Sequence, residues 1–336
     1  MPWEPLNGTG PWCGTAKWDR YGGAVFARIL GAVGKLLIIA GVLVLGFVGF
    51  QLWGTGLEES RGQSELTENL ATDLGTTGSA TVDLSDLNTQ LAEVDPATAP
   101  PTEDPPEGEP VGIITIDKIE LQRVIVEGVS KQDLKKGPGH YPGTPLPGQA
   151  GNSAIAGHRT TYGAPFNRID ELVPGDEITV TTPQGEFVYV VIPAPGSTEQ
   201  AWYTVAPSQV EVLADVGDNR LTLTACHPKY SAKERIIVHA TLKTVPAVAT
   251  LVEATEDSGA AAAERVQTQF DEGLAGDPSA LRTAIFFGLG AAAVALLAWF
   301  IGRYSRRWPV YVFASPAILV LVWFGYVYLD RYLPTL

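Results

Sequence analysis

Two residues that could do chemistry together stand close in this chain: Cys226 and Arg235, separated by the eight-residue stretch HPKYSAKE. Residues 220–226 (RLTLTAC) alternate, so Leu221, Leu223 and Ala225 share one face of a strand while Thr222, Thr224 and Cys226 share the other. After Arg235 the apolar run Ile236, Ile237, Val238 reads as a returning strand. Paired as an antiparallel hairpin, the two strands would place Cys226 and Arg235 opposite each other at its open mouth. A permanent cation there favours a thiolate and can hydrogen-bond the oxyanion that forms on an attacked carbonyl. A lone cysteine in an arbitrary domain is more often a small buried hydrophobe. This one is followed by His227, Pro228 and Lys229, faces an arginine, and has only Cys13 as a counterpart elsewhere in the chain.

A thiol nucleophile needs a proton partner, and the chain has four histidines. His239 alternates in phase with Arg235 and reads as a structural or exposed strand residue. His227 adjoins the cysteine, where successive side chains of extended chain point apart. His140 sits in the Gly/Pro-rich run GPGHYPGTPLPG, a context compatible with simple solvent exposure. His158 follows the small apolar run SAIAG and leads into Arg159, Thr160 and Thr161, the context of a strand end opening on a cleft. Spacing favours His158 without excluding the other three.

The elements that must position these residues lie within residues 111–243. Segments 112–116, 123–126, 177–181, 187–192, 220–224 and 236–242 are rich in Val, Ile, Thr and aromatics. Turn residues punctuate them at Pro174-Gly175-Asp176, Gln184-Gly185 and Gly217-Asp218-Asn219. The expectation is an all-β domain, a small barrel or sandwich with few helices. Asp170, Glu171, Asp176 and Glu177 lack the spacing of a calcium loop and read as a solvated acidic face, so no metal or cofactor is expected.

On either side the composition changes. Residues 36–53 are uncharged and long enough to cross a bilayer, and Lys17, Arg20, Arg28 and Lys35 precede them. The positive-inside rule then leaves the N-terminus in the cytoplasm. A cleaved signal peptide is the rival, but this run exceeds the usual apolar core of one and no A-x-A site follows. Residues 284–301 and 310–329 are two further apolar blocks, and Arg303, Arg306 and Arg307 lie between them, where a chain re-entering the cytoplasm would carry positive charge. A single kinked or re-entrant hairpin around Pro309 and Pro316 is the alternative. Trp53, Trp299, Trp308 and Tyr332 lie near the span ends, as interfacial aromatics do.

Residues 54–110 are acidic and Pro-rich, carry Arg61 as their one basic residue, and are expected to be a disordered linker, with a short helix near 58–74. Residues 244–283 read as a second acidic linker with helical patches around 260–270. The chain thus divides into a cytoplasmic tail (1–35), a span (36–53), a linker (54–110), an extracellular domain (111–243) and a second linker (244–283). Two spans (284–301 and 310–329), the basic turn between them (302–309) and an extracellular C-terminus (330–336) complete it. Cys13 and Cys226 then lie on opposite sides of the membrane and do not pair, and Cys13 reads as a plain free thiol rather than an acylation site. With 37 Asp+Glu against 23 Lys+Arg, nucleic acid is disfavoured as a partner.

The run 151–163 (GNSAIAGHRTTYG), with Phe166 and LVPGDEI at 172–178, resembles the histidine block of sortases. Residues 221–235 (LTLTACHPKYSAKER) resemble the strand, cysteine and arginine of the same family, and GIITIDKIEL and LKKGPGHYPGT resemble its entry segments. The resemblance covers residues 111–243 and none of the flanks. It implies a small closed β-barrel with short helices, and His158, Cys226 and Arg235 as the catalytic set. The short loop beginning His-Pro-Lys-Tyr is most similar to actinobacterial class E sortases. The implied activity is transpeptidation at the bacterial plasma membrane, with the catalytic domain outside. A Leu-Pro-X-Thr-Gly sorting signal, or Leu-Ala-X-Thr-Gly in class E, would be cleaved between Thr and Gly and passed to an amine of cell-wall precursor or a pilin lysine. The partners implied are secreted proteins bearing that signal, the acceptor amine and membrane lipid. A pilus-polymerising sortase, an extracellular cysteine protease and a catalytically silent scaffold are the rivals.

Overall fold

The computed structural model describes residues 18–75, 83–247, 277–304 and 307–333, so Cys13 and the helical patches expected around 260–270 lie outside the described residues. The chain forms two units, Met1–Gly49 and Phe50–Leu336. Of the first, helix α1 (Trp18–Gly49) is described, and its stretch Arg28–Gly49 is long and apolar enough to cross a membrane.

In the second unit the β-branched segments pair into a closed barrel. The strands are β1 (Pro110–Ile116), β2 (Leu121–Glu127), β3 (Gly139–His140), β4 (Asn152–Ala156), β5 (Glu177–Thr182), β6 (Gly185–Val191), β7 (Trp202–Val205), β8 (Arg220–His227) and β9 (Glu234–Leu242). Their order is β6-β5-β1-β2-β3-β4-β8-β9, and β9 pairs back to β6, which closes eight strands into a ring; β7 lies along the rest of β9. The six expected segments appear as β1, β2, β5, β6, β8 and β9, the strand end expected before His158 is that of β4, and β3 and β7 are additions. Closure removes the open edges a small sheet would otherwise expose. Side chains that point inward, among them Ile114, Ile125, Ile155, Phe187, Leu223 and Val238, fill the barrel.

Strand β1 reads PVGIITI without alternation because both of its faces are covered. Ile114 and Ile116 face the barrel interior, whereas Ile113, with Val124 and Val126 of β2, faces outward beneath two helices. These are α2 (Thr55–Asp73) and α3 (Leu84–Ala92), whose Leu66, Leu70, Leu87 and Leu91 are all at most 1% exposed. The short helix expected near 58–74 is observed as α2, and the disorder expected over the rest of 54–110 is corrected for its described residues. The segment's acidic residues dominate the composition, but its leucines recur at i, i+4 and i, i+3, i+7, the spacing of one helical face. That face meets the outward apolar patch of Ile113, Val124 and Val126. Polar contacts fix the docking. Gln63 donates to the carbonyls of Val124 (3.0 Å) and Lys136 (2.9 Å) and accepts from Val124 N (2.9 Å), so one side chain serves the open side of β2 where β3 is too short to pair with it. Glu59 pairs with Arg123 at 2.7 Å. The proline-rich stretch after α3 also lies on the barrel: Gly185 (φ 119°) leaves room where a Cβ would meet the carbonyl oxygen of Val94 at 2.6 Å.

Two more long helices, α5 (Ala280–Tyr304) and α6 (Arg307–Tyr332), pack against each other as an antiparallel pair, with Phe287 stacked on Phe324 and Tyr328. A four-residue helix, α4 (Lys131–Leu134), closed by a Ser130/Asp133 capping box, precedes α5 in the chain. Helix α6 runs through Pro316 without ending there, and both α5 and the stretch Trp308–Tyr332 are long and apolar enough to cross a membrane. Most of their large apolar side chains are exposed, for instance Leu289, Phe286, Phe313 and Leu319.

If α2 belongs to the folding unit, truncating its buried face must destabilise the barrel. Leu66→Ala in a fragment spanning 55–247 is expected to lower unfolding free energy in urea by about 2–5 kcal/mol. A loss below about 0.5 kcal/mol would mean that the helix unfolds independently of the barrel.

Candidate active site

Three neighbouring strands bring the chemistry-bearing residues to one end of the barrel. β4 runs parallel to β8, with Ala156 opposite Thr224, and the amide of Gly157 continues the ladder by donating to the Thr224 carbonyl at 3.0 Å. Two residues on along each chain lie His158 and Cys226. On its other side β8 runs antiparallel to β9, and Cys226 is the direct partner of Arg235. The hairpin register expected from sequence is the register observed. The alternation of β8 also holds: Leu221, Leu223 and Ala225 enter the core, while Thr222 and Thr224 turn to the outer face and bond there to Asn152 and Tyr141.

The thiol is partly buried, and burial pushes its pKa up while the guanidinium groups of Arg235 and Arg159 pull it down, leaving a net rise. The resting sulfur therefore holds its proton through neutral pH, and a base must take it before attack. Arg235 is buried on β9 and donates Nη1 to the carbonyls of Glu234 (3.1 Å) and Ala232 (3.3 Å), which tether its head at the end of the hairpin loop. His158 is 4% exposed, and its ring lies 5.1 Å from that of Tyr162.

Arg159 was not singled out by its position in sequence. Its side chain is 1% exposed and makes contacts on three sides: Nε donates to the Asn167 carbonyl (3.0 Å), Nη1 to the Cys226 carbonyl (3.3 Å), and Nη2 pairs with Asp170 (2.8 Å). Asn167 returns a bond to the Arg159 carbonyl at 2.8 Å. The histidine loop is thereby tied to the strand that carries the thiol, and Lys229 Nζ to Asn167 Oδ1 (3.2 Å) ties it to the loop after Cys226. An arginine next to a candidate histidine, in a run otherwise short of charge, was the available signal.

The other histidines take different places. His140 is not solvent-exposed: it is 1% exposed on β3, with Nδ1 2.6 Å from Glu127. Burial alone would lower its pKa, but the Glu127 carboxylate outweighs it and the net shift is upward. A loop of glycines and prolines gave no hint that Glu127, on a neighbouring strand, would draw the ring inward. His239 is buried between Tyr203 Oη (2.8 Å) and Thr222 Oγ1 (2.9 Å), and burial lowers its pKa to about 4. His227 lies beside Trp202, ring centroids 5.8 Å apart. Asp170 pairs with Arg159, Glu171 with Arg168, Asp176 with Lys118 and Glu177 with Lys243, so each carboxylate of the acidic face meets its own cation. Among the described residues no three His, Cys, Asp or Glu side chains gather as a metal site would need.

Two expectations follow from these shifts. Because folded His239 resists a proton that the unfolded chain accepts near pH 6.5, its contribution is present above that pH and lost as pH falls toward about 4. The slope is at most about 1.4 kcal/mol per pH unit. His239→Gln should flatten it in urea unfolding measured across that window, and an unchanged slope would assign the loss to other groups. For the thiol, Arg235→Met should move the midpoint of Cys226 alkylation by iodoacetamide to higher pH. An unmoved midpoint would place Arg235 outside the field of the sulfur.

Comparison with known proteins adds an independent line. Residues 114–243 match the model of the Sortase domain family. Over 222 residues the chain is 33% identical to Sortase SrtE1 of Streptomyces coelicolor, covering 62% of this chain and 55% of that protein, so it spans little more than half of that relative's length. It is 32% identical over 156 residues to Sortase D of Bacillus subtilis, covering 46% of this chain and 72% of that one. A solved structure of sortase E from Streptomyces avermitilis is 36% identical, covering 42% of this chain and 91% of that one, with a TM-score of 0.36.

Proposed function

This chain belongs to the sortase family, and from that premise we propose that it is a membrane-held cysteine transpeptidase with Cys226, His158 and Arg235 as its catalytic residues. The observation that carries the reading is the shared register of β4, β8 and β9, which aligns the three residues at one end of the barrel.

The chemistry follows from the protonation state of the thiol. As Cys226 Sγ attacks the carbonyl carbon of the sorting-signal threonine, His158 takes the thiol proton and the carbonyl electron pair moves to oxygen. The Arg235 guanidinium, opposite the sulfur, stabilises that oxyanion. His158 then gives its proton to the departing amine of glycine as the carbon–nitrogen bond breaks, and a thioester remains. An acceptor amine adds to the thioester, His158 removes a proton from it, and as the carbon–sulfur bond breaks His158 passes that proton to the leaving sulfur, which returns the thiol. The signal is of the Leu-Ala-X-Thr-Gly or Leu-Pro-X-Thr-Gly type, and the acceptor is an amine of cell-wall precursor or pilin.

The domain acts outside the membrane, on 111–243, with three spans anchoring it. Supporting this, the start of α5 and the end of α6 meet on the barrel side, where Asp277 N donates to the Arg331 carbonyl at 2.9 Å. Arg303, Arg306 and Arg307 fall at the opposite end of the hairpin in sequence, where the positive-inside rule puts the cytoplasm.

The test is intact-mass spectrometry of the full chain in detergent with either peptide and an amine acceptor. A thioester on Cys226, cleavage between Thr and Gly and an amine-linked product are expected, and Cys226→Ala should abolish all three. Adduct that yields only hydrolysed peptide would turn the reading to a protease, and no adduct from folded enzyme with a reactive thiol would refute it for these motifs.

A further inference from the structure

The loop that follows His158 is held in an unfavourable shape. Tyr162 (φ 50°), Gly163 (φ 70°) and Ala164 (φ 46°) are three consecutive residues in the left-handed region, and two of them carry a side chain. Such a run is strained at its two non-glycine residues and persists only where neighbours impose it. The neighbours here come from far away in sequence. From the start of α2, Thr55 Oγ1 accepts the Tyr162 amide at 3.2 Å. From the end of α6, Asp330 accepts the Tyr162 hydroxyl.

Asp330 is itself built into the barrel side. Its side chain is about a tenth exposed; Oδ1 accepts from Gln51 Nε2 at 2.8 Å, and Oδ2 lies 3.8 Å from Lys135 Nζ. Lys135, buried in turn, stands 4.9 Å over the Tyr162 ring and 3.7 Å from Glu58. Beside it, Lys131 Nζ, just past the loop that leaves β2, donates to the carbonyls of Asp330 (3.1 Å), Arg331 (2.9 Å) and Leu333 (2.9 Å). A single ammonium thus meets three carbonyls at the C-terminus of α6, and that of Arg331 also accepts from Asp277 N. The far end of the apolar hairpin is therefore clamped on the catalytic barrel, and its one inward carboxylate grips the residue packed against the His158 ring.

We propose that Asp330 is a positioning residue for catalysis: through Tyr162 it fixes the loop that presents His158, so the barrel is fully competent only while the C-terminal hairpin is docked. The inference rests on the catalytic role assigned to His158 above. It gives the hairpin a task beyond anchoring, because a span that can let go of the barrel can also relax the histidine loop. Tyr162 is the natural relay: its ring touches His158, and its hydroxyl, kept protonated by burial and by the nearby carboxylate, is always a donor.

The test uses the full chain in lipid nanodiscs, with the peptide and amine that the wild type accepts, and compares Asp330→Ala, Tyr162→Phe and the double variant. Each single change is expected to lower kcat about tenfold with KM within about twofold, and the double variant to be no slower than the slower single. Hydrogen exchange should report the same event: amides 158–164 exchange at least about tenfold faster in Asp330→Ala, with the barrel strands unchanged. Losses that multiply in the double variant, single variants within about twofold of wild type, or unchanged exchange in 158–164 would each overturn the coupling. Tyr162→Phe keeps the ring and answers the question should Asp330→Ala fail to fold. A wild type that forms no Cys226 thioester would instead count against the functional reading, and the exchange measurement would still decide whether Asp330 orders the loop.

Discussion

One parallel strand pair sets the geometry of everything else. β4 and β8 are distant in sequence and run the same way, so the chain leaving each emerges at the same end of the barrel. Parallel neighbours need a crossover between them, and here β5, β6 and β7 intervene, of which β5 and β6 join the ring and β7 lies along β9. The antiparallel return of β9 then adds a third column at the same level. Because side chains alternate with a period of two, a one-residue slip of β8 would send Cys226 to the core face, where Ile236 and Val238 of β9 lie, and turn Leu221 and Leu223 to the outer face. The buried leucines of β8 make that slip costly, so packing of the core also keeps the thiol in place.

Buried charge does the finer positioning. Arg159, Lys135, Arg235, Glu59 and His140 are each at most 6% exposed, and each meets carboxylates, cations or carbonyls at short range. Removing such groups from water is costly, and their pairing does little more than offset it. What the pairs supply is direction. A guanidinium with contacts on three sides allows one orientation of the histidine loop relative to the β8 terminus, whereas an apolar contact of equal area would tolerate several.

The parts of the molecule that could be read in advance are those governed by local pattern. The alternation in RLTLTAC and the apolar run after Arg235 define a hairpin by period alone, and the opposition of Cys226 to Arg235 followed directly. Six strands announced themselves through β-branched residues between turns. Composition misled over 54–110, because an average over acidic residues hides a leucine stripe whose meaning depends on Ile113, Val124 and Val126 being turned outward. His140 and Arg159 were obscured for a related reason: each is placed by a partner that tertiary structure alone brings near. The contact between Tyr162 and Asp330 spans 168 residues, and neither residue sits in a pattern that predicts the other.

The packing of α2 on the barrel also bears on how substrates are met. A catalytic domain on a floppy leash searches a volume that grows with the leash, and its local concentration of targets falls accordingly. Here Gln63, Glu59 and the leucine stripe take up the chain after residue 55, and the end of α6 is clamped by Lys131, which leaves little slack. On the membrane reading proposed above, the cleft stands at a set height above the bilayer. If the proposed reaction takes polypeptides embedded in the same bilayer, the spacer between their own anchor and the scissile bond would have to span that height, and spacer length would then act as a selection criterion beside the motif.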